Sequence, residues 1–358
     1  MLFCVNWIKF MNRLYQSLDE KWSPDANLRP RPNVSVIIVN YACSEATIAA
    51  ITSIKETSGD LNIEIIMVDN SSPDASTTAI KNAHSDINVI QAGYNGGYAW
   101  GNNVGIYRAR GDKLLILNPD TVLKPGALCA AVRVLNAHPD IGIIGPRTYW
   151  NNGQVQSTIF RYPTLKQLFW NILVPNSLLR RSSWFGDSRY ATASRDDCLD
   201  VEVVAGCFML MPRNVIEQVG PMDDRFFMYS EEVEWCWRVR QAGYRVVYCP
   251  DAEIEHVGQI STGRENPWKA IEIARGQLLF LRLTRGVAVA RLGCVLMLSG
   301  SLVRSVWMIT LTLVAPNKVA SWWAQLRFLL TALVMLPEGQ EVPPPEHAGF
   351  LVTDPEGD

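Results

Sequence analysis

The sequence predicts an α/β protein with a doubly wound, mostly parallel sheet, followed by a C-terminal helical appendage that associates with a membrane. Two observations predict the sheet. Near-continuous apolar runs alternate with segments of helical periodicity, which is the pattern of strands buried on both faces. Three of these runs end in Asn or Asp. Open parallel sheets bind their ligands at these carboxyl ends of the strands. The basic, apolar stretch after residue 265 predicts the appendage.

Length and composition restrict the class of protein. The chain has 358 residues, of which 48% are hydrophobic, so it can bury a large core. Its net charge of -2 gives no reason to expect a nucleic-acid partner. The eight cysteines form no Cys-x-x-Cys pair, which predicts reduced thiols in a cytosolic protein. The apolar start is interrupted by Lys9 and lacks a cleavage site, so we expect an amphipathic turn rather than a secretory signal.

The pattern divides the chain into four regions. We expect an N-terminal segment and proline-containing linker, a main domain, a basic amphipathic helical region and a disordered acidic tail, over 1–32, 33–265, 266–337 and 338–358. Within the main domain the predicted strands are 34–41, 62–69, 87–91, 113–120, 141–145, 201–211 and 244–249. The predicted helices are 47–57, 73–84 and 126–138. Between 147 and 200, arginines mix with aromatic residues, which fits a surface excursion or a flexible flap that binds phosphate.

A glycine-rich stretch precedes the fourth strand. Residues 92–105 hold five glycines and lead into a short helix that ends near Arg110. Such a stretch is a plain loop, or it lets backbone N–H groups approach a diphosphate. It matches neither a Walker loop nor a dinucleotide fingerprint, and no Gly-x-Gly-x-x-Gly follows the first strand, which argues against a nucleotide-dependent oxidoreductase.

Three acids stand at the start of another short helix. Ser230 is the expected N-cap, and Glu231, Glu232 and Glu234 follow in the first turn. Acids at this position also suit the helix dipole without any further role. Neighbouring helical residues point about 100° apart, so Glu231 and Glu232 cannot both face one hydroxyl group, and Glu234 should point elsewhere.

The region after the main domain is basic. From Lys269 to Arg327 it holds eight Lys or Arg and one acid, Glu272. Its apolar runs, 292–302 and 305–315, are split by Arg304 and are shorter than the roughly 20 residues that span a bilayer. We expect helices lying on an anionic membrane surface, or else packed on the main domain or on a second subunit.

Five motifs in this order resemble family 2 glycosyltransferases of GT-A fold, and most of all their bacterial rhamnosyltransferase-like branch. The resemblance covers roughly residues 33–260. The motifs are Val36-Ile-Ile-Val-Asn40-Tyr41, Val68-Asp69-Asn70-Ser71-Ser72, Asn95-Gly96-Gly97, Leu117-Asn118-Pro119-Asp120 and Phe227-Met228-Tyr229-Ser230-Glu231-Glu232-Val233-Glu234.

The resemblance implies a role for each motif. Asp69 contacts the nucleotide base, and Asp120 holds Mg²⁺ or Mn²⁺, with Asn118 standing where the family's other acid occurs. The family's usual Glu-Asp pair is Glu231-Glu232 here, and the second acid is the catalytic base. His256 falls where some relatives place a metal ligand, although a lone histidine is often a satisfied core or surface group. The remaining residues expected to bind the nucleotide sugar are Asn40, Tyr41, Asn95, Gly97 and Asn118.

The resemblance therefore implies an inverting glycosyltransferase. We expect it to transfer a sugar from a nucleoside diphosphate sugar to a lipid-linked or cell-surface glycan acceptor, from the cytoplasmic face of the plasma membrane. The resemblance suggests rhamnose, and it leaves galactofuranose, N-acetylglucosamine and glucose open, as it does a homo-oligomer. The alternative is a non-catalytic scaffold that binds sugar nucleotides, because Glu and Asn replace Asp at two motif positions.

Overall fold

A computed structural model of the chain describes residues 30–173, 196–257 and 267–312. Predictions for the N-terminal segment, for Arg180, Arg181, Arg189 and Arg195, and for residues 313–358 lie outside this part. The strands are β1 Val34–Asn40, β2 Ile63–Asp69, β3 Asn88–Gln91, β4 Lys113–Leu117, β5 Thr121–Leu123, β6 Ile141–Tyr149, β7 Val155–Gln156, β8 Ile159–Phe160, β9 Leu199–Val201, β10 Val203–Val204, β11 Phe208–Pro212 and β12 Arg245–His256. The helices are α1 Ser44–Thr57, α2 Ser76–Ala83, α3 Gly97–Arg108, α4 Ala127–Ala137, α5 Leu165–Leu173, α6 Arg213–Val219, α7 Glu231–Gln241, α8 Pro267–Arg285 and α9 Val287–Thr312.

The described residues form a mixed, mostly parallel sheet in the order β3-β2-β1-β4-β11-β6-β12-β5. The first four strands are parallel, as the apolar runs predict, and β12 is parallel to β6. The antiparallel β11 joins the two halves by pairing with β4 and β6. A single strand over 201–211 was expected, and this is wrong. The chain forms three short strands there, β9, β10 and β11, and the turn at Ala205–Cys207 separates β10 from β11. A uniformly apolar run does not show where such a turn falls.

Helices cover both faces of the sheet and explain two glycines of the glycine-rich stretch. A Cβ at Gly101 would lie 2.7 Å from Val39, and one at Gly105 would lie 2.4 Å from Ile37, so only glycine lets α3 approach β1 this closely. On the opposite face of β1, Ile38 and Ile51 of α1 belong to one cluster of buried hydrophobic residues. Close helix packing therefore accounts for part of this stretch without any ligand.

A buried ionic network ties the amino ends of β1 and β2 to the segment before β4. The Ser35 hydroxyl donates to Glu64 (2.6 Å) and accepts from the Gly111 N–H (2.7 Å). The Arg110 guanidinium donates to the other Glu64 oxygen (2.8 Å). Because Glu64 is buried but fully paired, its charge is tolerated there, and the network holds the amino ends of the two strands together.

The C-terminal helices pack on each other and on α5. Leu168, Leu281 and Ala290 form a small separate core where α5, α8 and α9 meet. Residues 292–302 and the described part of 305–315 lie on one helix, α9. Arginine is a good helix former, so Arg304 separates the apolar runs without ending the helix. Within residues 30–173, 196–257 and 267–312, none of the helices combines the length and apolarity that crossing a bilayer requires.

Candidate active site

Strained backbone marks one edge of the sheet. Within the described residues, four non-glycine residues have positive φ: Ala42 (51°), Ser71 (62°), Tyr229 (70°) and Ser230 (74°). Ala42 and Ser71 follow the carboxyl ends of β1 and β2, and the other two precede α7. Left-handed residues of this kind concentrate at functional sites, where surrounding contacts hold them in place. Ala42 and Ser71 therefore point to a candidate site at the carboxyl ends of β1 and β2, where the polar strand endings also predict it.

Asn40 and Asp69 stand opposite each other at the ends of β1 and β2. The Asn40 amide donates to Asp69 Oδ1 (3.1 Å), and Ser72 donates to the same oxygen through its hydroxyl and to Oδ2 through its N–H (3.2 Å). Asp69 is only 3% exposed, so its visible role is to fix the loop after β2. Tyr41, next in the chain, is 40% exposed and presents a ring at the same edge. Their contact with a nucleotide stays a prediction.

The structure brings Asp120 and His256 together although 136 positions separate them. His256 ends β12 opposite Thr121, and its Nε2 lies 3.2 Å from Asp120 Oδ1. Asn118 reaches the same nitrogen (3.4 Å), while Nδ1 lies 3.2 Å from Gln156 Oε1. The strand predicted over 244–249 is too short, because β12 runs to His256 with a bulge between Cys249 and Glu253. That extension carries the histidine to the site.

The Asp120–His256 pair fits a divalent cation in its donor chemistry. When Nδ1–H donates to Gln156, the Nε2 lone pair faces the Asp120 carboxylate, which is the arrangement of a metal-binding histidine with an oriented ring. Carboxylate oxygen with imidazole nitrogen suits Mn²⁺ better than Mg²⁺. Within the described ranges no third His, Cys, Asp or Glu joins this pair in a metal-binding cluster.

Helix α7 begins at Glu231 and presents two adjacent carboxyl groups. Ser230 is the N-cap residue, as expected, but its backbone is left-handed and its side chain makes no capping hydrogen bond. Glu231 is buried, and its Oε2 has no hydrogen-bond partner among the residues that the structure describes. Burial, together with the Glu232 charge, holds the pKa of Glu231 well above its ordinary value. Glu232 is partly exposed; desolvation raises its pKa, and hydrogen bonds from the backbone of Ser230 and Val233 oppose that rise.

These environments separate the two acids by role. The buried Glu231 retains a proton to higher pH, and Glu232 is the more accessible of the two, but its role as catalytic base stays a prediction. Glu234 points elsewhere, as expected: it accepts two bonds from Arg238 (2.7 and 2.9 Å), which in turn donates to the carbonyls of Val219 and Pro221. It anchors α7 and has no part in the pair.

The glycine-rich loop holds the start of α7. A Cβ at Gly97 would lie 2.0 Å from the Phe227 carbonyl oxygen, and the Tyr98 N–H donates to that oxygen (2.8 Å). Asn95 Oδ1 accepts from the Gly97 N–H (3.1 Å) and from Asn70 (2.9 Å), which links the loop to the end of β2. Gly97 and Asn95 therefore have structural roles, and donor binding by them stays a prediction.

Sequence reasoning missed Tyr98 and the turn at Gly206. The Tyr98 hydroxyl donates to the Gly206 carbonyl (2.6 Å), and the next carbonyl, of Cys207, accepts from the Asn118 N–H (3.0 Å). Burial raises the pKa of the Cys207 thiol to about 12, so it is not a nucleophile. The half-buried Tyr98 thus connects the start of α7 with the Asp120 loop. The feature of the sequence that could have indicated Tyr98 is an aromatic residue directly after the Gly96-Gly97 pair.

The fold and site define a glycosyltransferase. The family model described as "Glycosyl transferase family 2" matches residues 35–220, and the chain belongs to this family, as the five motifs imply. The match ends before α7 and β12, so Glu231, Glu232 and His256 lie beyond it.

Two curated relatives and one solved structure show what the chain is similar to. The N-acetylglucosaminyl-diphospho-decaprenol L-rhamnosyltransferase of Mycobacterium tuberculosis is 27% identical over 219 residues, which are 57% of this chain and 69% of that protein. The low-salt glycan biosynthesis hexosyltransferase Agl10 of Haloferax volcanii is 28% identical over 228 residues, 63% of this chain and 67% of that one. The mannosyltransferase PcManGT from Pyrobaculum calidifontis, solved with GDP-Man and Mn²⁺, matches with a TM-score of 0.53 at 17% identity, covering 92% of this chain and 94% of that chain. This last likeness supports the GT-A fold alone.

Proposed function

We propose that this glycosyltransferase inverts the anomeric centre as it moves a sugar from a nucleoside diphosphate sugar to a lipid-linked or glycan acceptor. The observation that carries the proposal is that the Asn40–Asp69 and Asp120–His256 pairs lie at the carboxyl ends of neighbouring strands, and that Tyr98 connects the Asp120 loop with the start of α7, which carries Glu231 and Glu232. The Mycobacterium tuberculosis relative is named for a lipid-linked acceptor and rhamnose, which makes both the first choices to test.

The residues divide the work of a single displacement. Asp69, Asn40 and the exposed Tyr41 ring bind the nucleotide, and the loop at Asn118 and Asp120 receives the diphosphate and sugar. Glu232 removes the proton from the acceptor hydroxyl as that oxygen bonds to the anomeric carbon and the nucleoside diphosphate leaves. A raised pKa makes its carboxylate a stronger base, and such a base contributes roughly 10²–10⁴-fold.

Asp120 and His256 would hold the divalent cation, Mg²⁺ or Mn²⁺, with the diphosphate oxygens supplying further ligands. A bound cation would neutralise charge on the departing diphosphate. The protein's own part is to orient these ligands: Gln156 sets the imidazole ring, and the Cys207 carbonyl holds the Asn118 backbone.

The proposed cellular site is the cytoplasmic face of a membrane. On α9, Leu292 (49% exposed), Val295 (53%) and Leu302 (59%) form an apolar face, with Arg291 exposed beside it. The eight basic residues from Lys269 to Arg327 favour anionic lipid as the partner of this face. Sedimentation with phosphatidylglycerol vesicles should recover the protein, and the double variant Leu292→Glu, Val295→Glu should stay in the supernatant. Recovery of both would count against this face.

The test of the activity is turnover. A panel of nucleotide sugars is first screened, with Mn²⁺ or Mg²⁺, for protection against thermal unfolding. The protecting donor is then incubated with undecaprenyl-diphosphate-linked N-acetylglucosamine, and the product anomer is read by NMR. Inverted product that disappears in Glu232→Gln supports the proposal. Protection by a donor without any transfer in the presence of acceptors would favour the scaffold alternative.

A further inference from the structure

The two left-handed residues before α7, Tyr229 and Ser230, are held from two sides. We call this segment the elbow. On one side, the chain just before the elbow is held by the glycine-rich loop: the Phe227 carbonyl accepts from the Tyr98 N–H and lies too close to Gly97 for a Cβ there. On the other side lies α8, from the region predicted to bind membrane. A Cβ at Gly276 of α8 would lie 2.5 Å from the Tyr229 carbonyl oxygen and 2.7 Å from Ser230 Oγ.

The contact of α8 with the elbow is supported along the helix. The Lys269 ammonium lies 5.6 Å from the centre of the Tyr229 ring. Further along the helix, Phe280 stacks on Tyr162 (5.7 Å between ring centres, 20° between planes) and is buried in the main core. Helix α8 is therefore anchored to the main domain where it presents Gly276, and it cannot withdraw freely to accept a larger residue.

The elbow in turn sets the carboxyl group of Glu232. Ser230 is the N-cap residue of α7, and its carbonyl accepts the Glu234 N–H (3.0 Å) that starts the helix. A shift of Ser230 therefore moves the first turn of α7, which carries the Glu232 side chain. Left-handed residues are strained and persist only when neighbouring groups hold them in place, and α8 supplies such a contact here.

We propose that Gly276 is a positioning residue of the active site: by allowing α8 to contact Tyr229 and Ser230, it fixes the elbow and thereby the Glu232 carboxylate. The inference rests on the proposed role of Glu232 as base. It makes the C-terminal helical region part of the catalytic apparatus rather than an appendage that only carries it to its substrate.

The experiment compares Gly276→Ala with Gly293→Ala in the full chain. Gly293, on α9, is also closely packed, but an added Cβ there would meet only the flexible ends of Leu281, Leu168 and Leu278 at 3.0–3.3 Å. Gly276→Ala should lower kcat at least about 10-fold, because displacements of about 1 Å can cost 10²-fold, while KM for the donor stays within about twofold. Gly293→Ala should keep both constants near wild type.

The pH profile supplies a readout that general destabilisation would not move. The Ser230 backbone lowers the pKa of Glu232, so displacing the elbow should raise that pKa, and the acid limb of kcat should move to higher pH in Gly276→Ala only. The titratable groups that sense the Glu232 charge are Glu231, Tyr98 and Cys236, and all three are unchanged in both variants. A wild-type kcat and pH profile in Gly276→Ala would overturn the proposal, as would an equal loss in Gly293→Ala.

A double variant guards against misfolding. Ser230→Gly removes the Ser230 side-chain atoms that the new Cβ would meet, and glycine accepts the left-handed backbone. Ser230→Gly with Gly276→Ala should fold and recover part of kcat if the contact is the cause, and should recover none if it is not. Glu232→Gln, run in parallel, separates the two proposals. Full activity in Glu232→Gln refutes the role of Glu232 as catalytic base, whereas full activity in Gly276→Ala alone refutes only the role of Gly276 as a positioning residue.

Discussion

Replacing Gly97 by alanine should destabilise the protein far more than the same change at Gly93, four residues earlier in the same loop. Both glycines have positive φ (83° at Gly93, 85° at Gly97), so alanine incurs the left-handed penalty of about 1–2 kcal/mol at either position. A Cβ at Gly93 meets nothing within 4 Å, whereas at Gly97 it would lie 2.0 Å from the Phe227 carbonyl oxygen.

The difference between the two variants isolates that contact. To accept the methyl group, Gly97→Ala must separate the loop from Phe227 and lose the Tyr98–Phe227 hydrogen bond, which adds about 1 kcal/mol for the bond and more for the broken packing. We expect the free energy of unfolding to fall by about 1–2 kcal/mol for Gly93→Ala and by about 3 kcal/mol or more for Gly97→Ala. Urea unfolding followed by tryptophan fluorescence measures both. Equal losses would show that the loop does not depend on this approach.

Four further predictions concern the chemistry. Asp120→Ala should abolish turnover and Mn²⁺-dependent protection by the donor while the unfolding curve without ligand changes little; turnover at the wild-type rate would refute the metal assignment. Glu232→Gln should lower kcat at least about 10²-fold. Because the pKa of Glu232 is raised, wild-type kcat should fall as pH drops through a value above the ordinary carboxyl range, and Glu231→Gln, which resembles protonated Glu231, should leave that limb in place. Tyr98→Phe should weaken donor binding and lower kcat, whereas Tyr244→Phe, which removes a surface bond to Gln218, should do neither.

The strands and the site edge were predictable because their signals are local. The runs that became β1, β2 and β4 are apolar throughout, and polar residues follow them at the turns, so the order of residues alone places Asn40, Asp69 and Asp120 at one edge. Helix α1 was expected from residue 47 and begins at Ser44, because polar residues in a first turn do not contribute to apolar periodicity.

What the sequence did not reveal depends on distant partners. Nothing near Gly97 indicates that it faces Phe227, and nothing near Gly276 indicates that it faces Tyr229, since each approach is created by packing. The pairing of His256 with Asp120 required β12 to extend past its bulge, and a strand's length is set by its neighbours β6 and β5. A glycine's position in the chain is therefore informative, but the group that it contacts is decided by the fold.

The four left-handed residues bear on any attempt to make this protein more heat-resistant. Glycine at Ala42, Ser71, Tyr229 or Ser230 would relieve backbone strain, yet it would also widen the conformational freedom of the loops beside the candidate active site. Selection for thermal tolerance alone would accumulate changes at these positions. Catalytic activity would then fall while the selected property, thermal stability, improved. The Ser35–Glu64–Arg110 network offers a safer target, because it lies at the amino ends of β1 and β2, at the opposite end of these strands from Asn40 and Asp69.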